Sequence, residues 1–153
     1  MKITEMLRRE FVLEQLKAVN KRDALAELAE VFAQGRINVD SKEMLHVLLE
    51  RERLGSTGIG DGIAIPHGKL PGLEEMVVSF GRSREGITFE AMDGKPVHLF
   101  FLLMAPENSA GQHLKALAKI SRMLKDANFR KNLLEAKIQE DLFRIIADKD
   151  DET

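Results

Sequence analysis

VHLFFLLM, residues Val97–Met104, is apolar at every position except His98. Because side chains alternate between the two faces of a strand, a strand with this sequence is apolar on both faces. Strands of that kind lie in the middle of a sheet that is covered by helices on either side. The stretch therefore predicts an α/β fold built around a buried central strand.

Helical patterns precede and follow this strand. Asn20 is the expected N-cap of one helix, and Asp40 or Ser41 that of a second helix ending at Gly55. Their apolar faces are Ala24, Leu25, Leu28, Ala29 and Phe32 in the first helix, and Met44, Leu45, Leu48 and Leu49 in the second. Up to three further helices are predicted at Gly111–Leu124, Asn128–Leu134 and Glu140–Ala147.

Four further strands are predicted. They fall around Phe11–Leu16, after a short N-terminal helix, and at Ile63–Ile65, Met76–Arg82 and Ile87–Phe89. No repeat or linker interrupts the pattern, so residues 1–153 are assigned to a single domain. The charged tail from about residue 148, DKDDET, is expected to fray.

The composition excludes several classes of function. None of the 153 residues is cysteine, which rules out disulfides, thiolate metal sites and cysteine nucleophiles. With 23 Lys and Arg against 25 Asp and Glu, the chain has no bulk attraction to nucleic acid or anionic lipid. The N-terminus is charged throughout, unlike a signal peptide, and no apolar stretch approaches the ~18 residues of a membrane span. We therefore expect a cytoplasmic protein that neither binds nucleic acid nor inserts into a membrane.

A glycine-rich segment, Gly55–Gly62, invites a nucleotide-binding interpretation. Its sequence, GSTGIGDG, contains neither GxGxxG nor the GxxxxGK motif of phosphate loops. A phosphate-binding loop also joins a strand to the start of a helix, whereas this segment leaves a helix end and enters a strand. We interpret it as a flexible connector.

IAIPHGK, residues Ile63–Lys69, carries the first candidate for chemistry. Pro66 fixes the backbone just before His67, and Gly68 is expected to leave room for a bulky group at the imidazole. A neutral imidazole, with a reference pKa of ~6.5, offers a nitrogen nucleophile near pH 7. The alternative is a histidine in a turn whose nitrogens only satisfy backbone groups.

Helical periodicity adds partners for this histidine. Arg51 falls on the apolar face of its helix, where a guanidinium needs an anion: either Glu52, whose position is also inward, or a phosphoryl group. His113 points inward from the first turn of its helix, where the positive helix end favours a neutral imidazole that donates to a phosphoryl oxygen. A structural salt bridge and a packed core histidine are the respective alternatives.

The other candidates are weaker. Lys69 either helps to attract an anionic group or is simply solvated. His98 is interpreted as a packed residue and His46 as a solvated one. A metal site shared by His67 and His113 lacks the close-spaced ligand pair that such sites use, so we expect neither a metal nor a cofactor.

Residues 51–69, RERLGSTGIGDGIAIPHGK, resemble the signature of the fructose/mannitol class of phosphotransferase-system enzyme IIA, and within it most closely the nitrogen-regulatory branch. The similarity extends over essentially the whole chain. It implies a mixed sheet with helices on both faces. It further implies that His67 is phosphorylated, that Arg51 holds the phosphoryl group and that His113 is the second active-site histidine. Glu52, Gly68 and Lys69 are expected to support the phosphate site.

The resemblance also implies a function. A phosphoryl carrier of this kind receives phosphate from a small histidine phosphocarrier protein, itself charged from phosphoenolpyruvate by an enzyme I, and regulates targets such as transporters or sensor kinases. Chain length and the closer signature favour this regulatory role. One alternative is a sugar-specific enzyme IIA that passes phosphate to a separate transporter component. The other is a binding module in which His67 and Arg51 are structural.

Overall fold

The computed structural model describes all 153 residues and places the predicted central strand in the middle of a six-stranded sheet. This strand, β6 (Val97–Ala105), pairs antiparallel with β5 (Val77–Ile87) along one edge. Along its other edge it pairs in parallel with two short strands, β3 (Ile63–Ala64) and β4 (His67–Lys69). Every residue of β6 from Leu99 onward is buried. The predicted central strand and mixed sheet are therefore confirmed.

Five α-helices cover the sheet, at α1 Lys21–Gln34, α2 Ser41–Arg53, α3 Ala110–Lys125, α4 Ala127–Glu135 and α5 Gln139–Glu152. Ser79 of β5 donates its hydroxyl to the Leu28 carbonyl of α1 at 2.8 Å. Arg82 points to the opposite face of β5 and donates to the Leu133 carbonyl of α4, also at 2.8 Å. Helices thus lie on both faces, as predicted. No helix combines the length and the apolar character needed to cross a membrane.

The helix boundaries follow local signals. The Asn20 side chain accepts from the Asp23 N–H at 2.9 Å and begins α1. Asp40, rather than Ser41, is the N-cap of α2, because its carboxylate accepts from the Lys42 N–H at 3.0 Å. The helix stops at Arg53, just before Gly55, as expected. These caps depend only on residues close in sequence, which is why they were predictable.

The first strand of the chain is much shorter than predicted. The chain begins with two short 3-10 turns, Ile3–Glu5 and Arg9–Phe11, followed by β1, which covers only Val12–Leu13. Phe11 belongs to the second turn, and no regular strand continues beyond Leu13, although the Leu16 N–H still donates to the Arg82 carbonyl of β5 at 2.8 Å. Most of the strand predicted around Phe11–Leu16 is therefore absent.

The separate strand predicted at Ile87–Phe89 does not exist. Strand β5 runs on to Ile87, which pairs with Val97, after an irregularity in register beyond Arg82. Gly86, at φ 91°, supplies the backbone conformation that such a bulge requires. A bulge therefore breaks the hydrophobic alternation within one continuous strand.

The glycine-rich segment is more ordered than a flexible connector. Residues Gly58–Gly60 form β2, which pairs antiparallel with β3. Asp61 and Gly62 have φ values of 56° and 74°, and two consecutive residues of this kind form a tight hairpin turn. The Asp-Gly pair is thus a hairpin signal, and the second half of the segment belongs to the sheet.

The C-terminal tail does not fray. Helix α5 continues to Glu152, and the Asp150 carboxylate is buried. It accepts the backbone N–H groups of Ile3 and Thr4, both at 3.0 Å, and pairs with the Lys119 ammonium at 2.7 Å. Ile3 and Thr4 lie at the other end of the chain and Lys119 lies in α3, so no local pattern indicated these contacts.

Replacing Asp150 with Ala should therefore destabilise the fold by about 3 kcal/mol, because it leaves the Lys119 ammonium buried without its partner. Asp151→Ala is the matched control: it removes an exposed ion pair with Lys2 and should change the free energy of unfolding by less than about 0.5 kcal/mol. Urea unfolding followed by circular dichroism measures both variants. Equal effects from the two substitutions would contradict the buried role of Asp150.

Candidate active site

His67 lies where the parallel edge of β6 is interrupted. The pairs Ala64–Phe100 and His67–Leu103 continue one register, with Ile65 and Pro66 between them. Pro66 has no N–H to donate, but its carbonyl accepts from the Leu103 N–H at 2.9 Å. The N–H of Ile65 instead reaches the Thr57 carbonyl at 3.1 Å. His67 therefore resumes the ladder at the start of β4, with its side chain half-buried.

One ring nitrogen of His67 is held by the backbone. Nδ1 lies 2.8 Å from the carbonyl oxygen of Ile65. A carbonyl oxygen only accepts hydrogen bonds, so Nδ1 carries the hydrogen in the neutral ring. The lone pair then resides on Nε2, which leaves that nitrogen as the nucleophilic atom of the ring.

His113 lies beside this imidazole. It occupies the first turn of α3 and is 7% exposed, and the two ring centroids are 5.6 Å apart at an interplanar angle of 84°. Its Nε2 is buried and has no hydrogen-bond partner. Such unpaired buried groups are rare and cost roughly 1–3 kcal/mol. The pair is thus set up to receive a further polar group.

Both histidines are held neutral. Burial lowers the pKa of His67, and the positive charge of Arg51 adds to this effect, while the Ile65 carbonyl and the Glu52 charge oppose it. Burial also lowers the pKa of His113, and a protonated His67 and the positive charge of Lys69 would act in the same direction. Both rings are therefore uncharged near pH 7.

Arg51 supplies an uncompensated positive charge next to the pair. Its Nη1 donates to the Gly55 carbonyl at 2.8 Å, and no carboxylate lies within ion-pair distance of it. Glu52, one of the two partners considered for it, instead pairs with Lys21 at 3.1 Å and accepts the Thr57 N–H at 3.1 Å. The Arg51–Glu52 salt bridge is therefore absent, and the other donors of the guanidinium have no protein partner.

Gly68 and Lys69 complete the set of predicted residues. A Cβ on Gly68 would lie 2.8 Å from Cγ1 of Val47 in α2, so the glycine allows α2 to pack closely against β4. This packing role was not predicted from the sequence, and the expectation that Gly68 also leaves room at the imidazole stays a prediction. Lys69 is exposed, and its charge acts on His113.

The other two histidines lie outside this arrangement. His98 is half-buried, with Nδ1 2.8 Å from the Ser83 carbonyl, and His46 is exposed. Both were expected in these environments. No group of three or more His, Cys, Asp or Glu side chains is arranged to hold a metal ion.

Sequence reasoning missed two residues that lie behind the site, Lys21 and Thr57. Thr57 is buried and bonded to Glu52, and its position four residues after the end of α2 was a weak local signal. Lys21 comes from the start of α1, and nothing in the sequence pairs it with α2.

Comparison with known proteins places the chain in a family. Residues 5–149 match the family model described as phosphoenolpyruvate-dependent sugar phosphotransferase system, EIIA 2. A "Nitrogen regulatory protein" of Bradyrhizobium diazoefficiens is 44% identical over 96% of this chain and 95% of its own length. A "PTS system fructose-specific EIIABC component" of Bacillus subtilis is 38% identical over 98% of this chain, which spans only 24% of that protein.

A solved structure of a related protein has the same fold. The nitrogen regulatory protein IIA-Ntr of Neisseria meningitidis superposes with a TM-score of 0.87 at 33% identity, covering 94% of this chain and 98% of the other. The chain therefore belongs to the EIIA type 2 family of the phosphoenolpyruvate-dependent phosphotransferase system.

The lowered pKa values of His67 and His113 predict that acid weakens the fold. The unfolded chain titrates near a pKa of ~6.5, above the folded values, so it binds more protons as the pH falls. The free energy of unfolding should therefore decrease from about pH 7 to about pH 5. His113→Gln should flatten this dependence, whereas His46→Gln should not, when urea unfolding is measured across the range. A wild-type slope in His113→Gln would contradict the assignment.

Proposed function

We propose that the protein is a phosphoryl carrier that accepts a phosphoryl group on Nε2 of His67 from a histidine phosphocarrier protein. The observation that carries the proposal is the hydrogen bond from Nδ1 of His67 to the Ile65 carbonyl, at 2.8 Å. It leaves the Nε2 lone pair available in a neutral ring, beside an arginine without an anionic partner. Membership of the EIIA type 2 family supports the same chemistry.

The transfer is an in-line exchange between two histidines. The Nε2 lone pair of His67 forms the new N–P bond while the N–P bond of the donor histidine breaks and its electron pair returns to the donor ring. The Nδ1–H of His67 stays in place, and its bond to the Ile65 carbonyl stabilises the positive charge that develops on the ring. No proton needs to move at His67, so the protein contributes mainly positioning and electrostatic stabilisation.

Arg51 and His113 stabilise the charge of the transferred group. The planar guanidinium of Arg51 donates to phosphoryl oxygens, for which its fork of donors is well suited. His113 donates its buried Nε2–H to another oxygen and so gains the partner it lacks in the free protein. Lys69, exposed at the rim, adds attraction for the anion at longer range.

The role of the carrier is regulatory. The relative that is 44% identical and matches along 95% of its own length is a nitrogen regulatory protein, and the chain is expected to act on transporters or sensor kinases according to its phosphorylation state. The 38% identity to a fructose-specific component favours one other candidate, a sugar-specific enzyme IIA. Loss of phosphate that depends on sugar and on a permease would select the second candidate.

Incubation with phosphoenolpyruvate, enzyme I and the small phosphocarrier should add one acid-labile phosphoryl group, measured as intact mass. His67→Ala should abolish the gain, whereas His46→Ala, at an exposed position, should leave it unchanged. In the same assay Arg51→Ala should slow the gain about 100-fold, the usual effect of losing one charge-stabilising donor. Arg53→Ala is its control, because Arg53 points to solvent and pairs with Glu50.

Two results would contradict the proposal. Labelling of His67→Ala at the wild-type rate would remove His67 from the chemistry. An unlabelled wild type, with a donor shown to be active on another acceptor, would favour a binding module.

A further inference from the structure

The Glu52 carboxylate occupies a position that is unfavourable for an anion. Its side chain is 3% exposed, so it has lost most of its hydration. It also lies in the last turn of α2, where the negative end of the helix dipole repels it. Buried ion pairs of this kind can often be replaced by apolar residues without loss of stability. A role in the site explains the placement better than stability does.

Both oxygens of this carboxylate are used to hold one residue, Thr57. One oxygen accepts the Thr57 N–H at 3.1 Å and the Lys21 ammonium at 3.1 Å. The other accepts the Thr57 hydroxyl in a short hydrogen bond. Thr57 is itself 4% exposed. The backbone and the side chain of Thr57 are therefore both fixed by the same carboxylate.

Thr57 in turn holds Ile65, the residue whose carbonyl orients His67. Its carbonyl accepts the Ile65 N–H at 3.1 Å, across β2 and β3. The carbonyl of that same Ile65 accepts Nδ1–H of His67 at 2.8 Å. A continuous path of hydrogen bonds thus runs from Glu52 through Thr57 and Ile65 to the imidazole.

The same carboxylate also borders the segment that holds Arg51. The guanidinium of Arg51 donates to the carbonyl of Gly55 at 2.8 Å, two residues before Thr57. Adjacent residues of α2 therefore hold the segment Gly55–Thr57: Arg51 binds its first carbonyl and Glu52 binds its last residue. Movement of this segment would displace the arginine and the histidine together.

We propose that Glu52 is a positioning residue for phosphoryl transfer: through Thr57 and Ile65 it keeps His67 in the Nδ1–H tautomer, and with Lys21 it holds the segment that anchors Arg51. This rests on the proposed function and replaces the expected role of Glu52 at the phosphate itself. A direct contact between Glu52 and the phosphoryl oxygens is not expected, because an ionised carboxylate only accepts hydrogen bonds and its oxygens already accept from Thr57 and Lys21.

The test compares Thr57→Val, Thr57→Ser and Glu52→Gln with wild type. Two-bond ¹H–¹⁵N spectra of histidine-labelled protein give the tautomer of His67, and rapid-quench measurements give the rate of transfer from the phosphocarrier. Thr57→Val and Glu52→Gln should convert the single Nδ1–H tautomer into a mixture and slow transfer by roughly 10- to 100-fold, as misplacement of a reacting group does. Thr57→Ser retains the hydroxyl and should restore both properties.

Glu50→Gln is the matched control, since Glu50 lies on the same helix with an exposed side chain. If Thr57→Val and Glu52→Gln match Glu50→Gln in tautomer and rate, the inference is wrong. Thr57→Val preserves side-chain shape and the Lys21–Glu52 pair, so its outcome decides the question even where Glu52→Gln fails to fold. The tautomer is read in the unphosphorylated protein without donor, so failure of the proposed carrier function is distinguishable from failure of this inference.

Discussion

The parallel edge of β6 is filled by two short strands in one register, interrupted by Ile65 and Pro66. Alternation along the strand turns the Ile65 N–H away from β6 and toward the Thr57 carbonyl, at 3.1 Å. The Thr57 N–H donates to Glu52 rather than to the Ile65 carbonyl, which leaves that carbonyl free to accept from Nδ1 of His67. The tautomer of His67, and hence the identity of its free nitrogen, follows from this break in the sheet.

The electrostatic balance around this break suits a transient anion. Burial keeps the two imidazoles neutral by lowering their pKa values, and Arg51 contributes a positive charge that no carboxylate cancels. In the free protein this arrangement is energetically unfavourable, because Nε2 of His113 is buried without a hydrogen-bond partner. A phosphoryl group would satisfy the free donors of Arg51 and His113 together. Polar groups left unpaired at a functional site are a common exception to otherwise consistent packing.

Local patterns were sufficient to predict much of the fold. The apolar run of β6, the caps at Asn20 and Asp40 and the inward positions of Glu52 and His113 all follow from strand or helix periodicity within a few residues. Periodicity predicts whether a side chain faces the core or the solvent. For these residues, burying the apolar face of the helix or strand was enough to decide between the two.

Contacts between distant parts of the chain were not predictable in this way. Asp150 is buried because its carboxylate accepts an N–H of the N-terminal turn, so the prediction of a frayed tail was wrong. Glu52 pairs with Lys21 of a different helix and not with Arg51. The charge pattern of the sequence indicated neither contact. The packing role of Gly68 was missed because the neighbour that requires a glycine there, Val47, lies across the packed interface of α2 and β4. Each of these contacts joins residues that are distant in sequence, and it forms only when the helices pack against one another and against the sheet.

In the proposed carrier, the phosphoryl group is held on Nε2 of His67 while Nδ1–H remains bound to the Ile65 carbonyl. Heteronuclear NMR of the phosphorylated, ¹⁵N-histidine-labelled protein tests it directly, through the one-bond coupling between phosphorus and the ring nitrogen. We expect coupling to Nε2 of His67 and a retained Nδ1–H. Coupling to Nδ1 of His67, or to a nitrogen of His113, would contradict it.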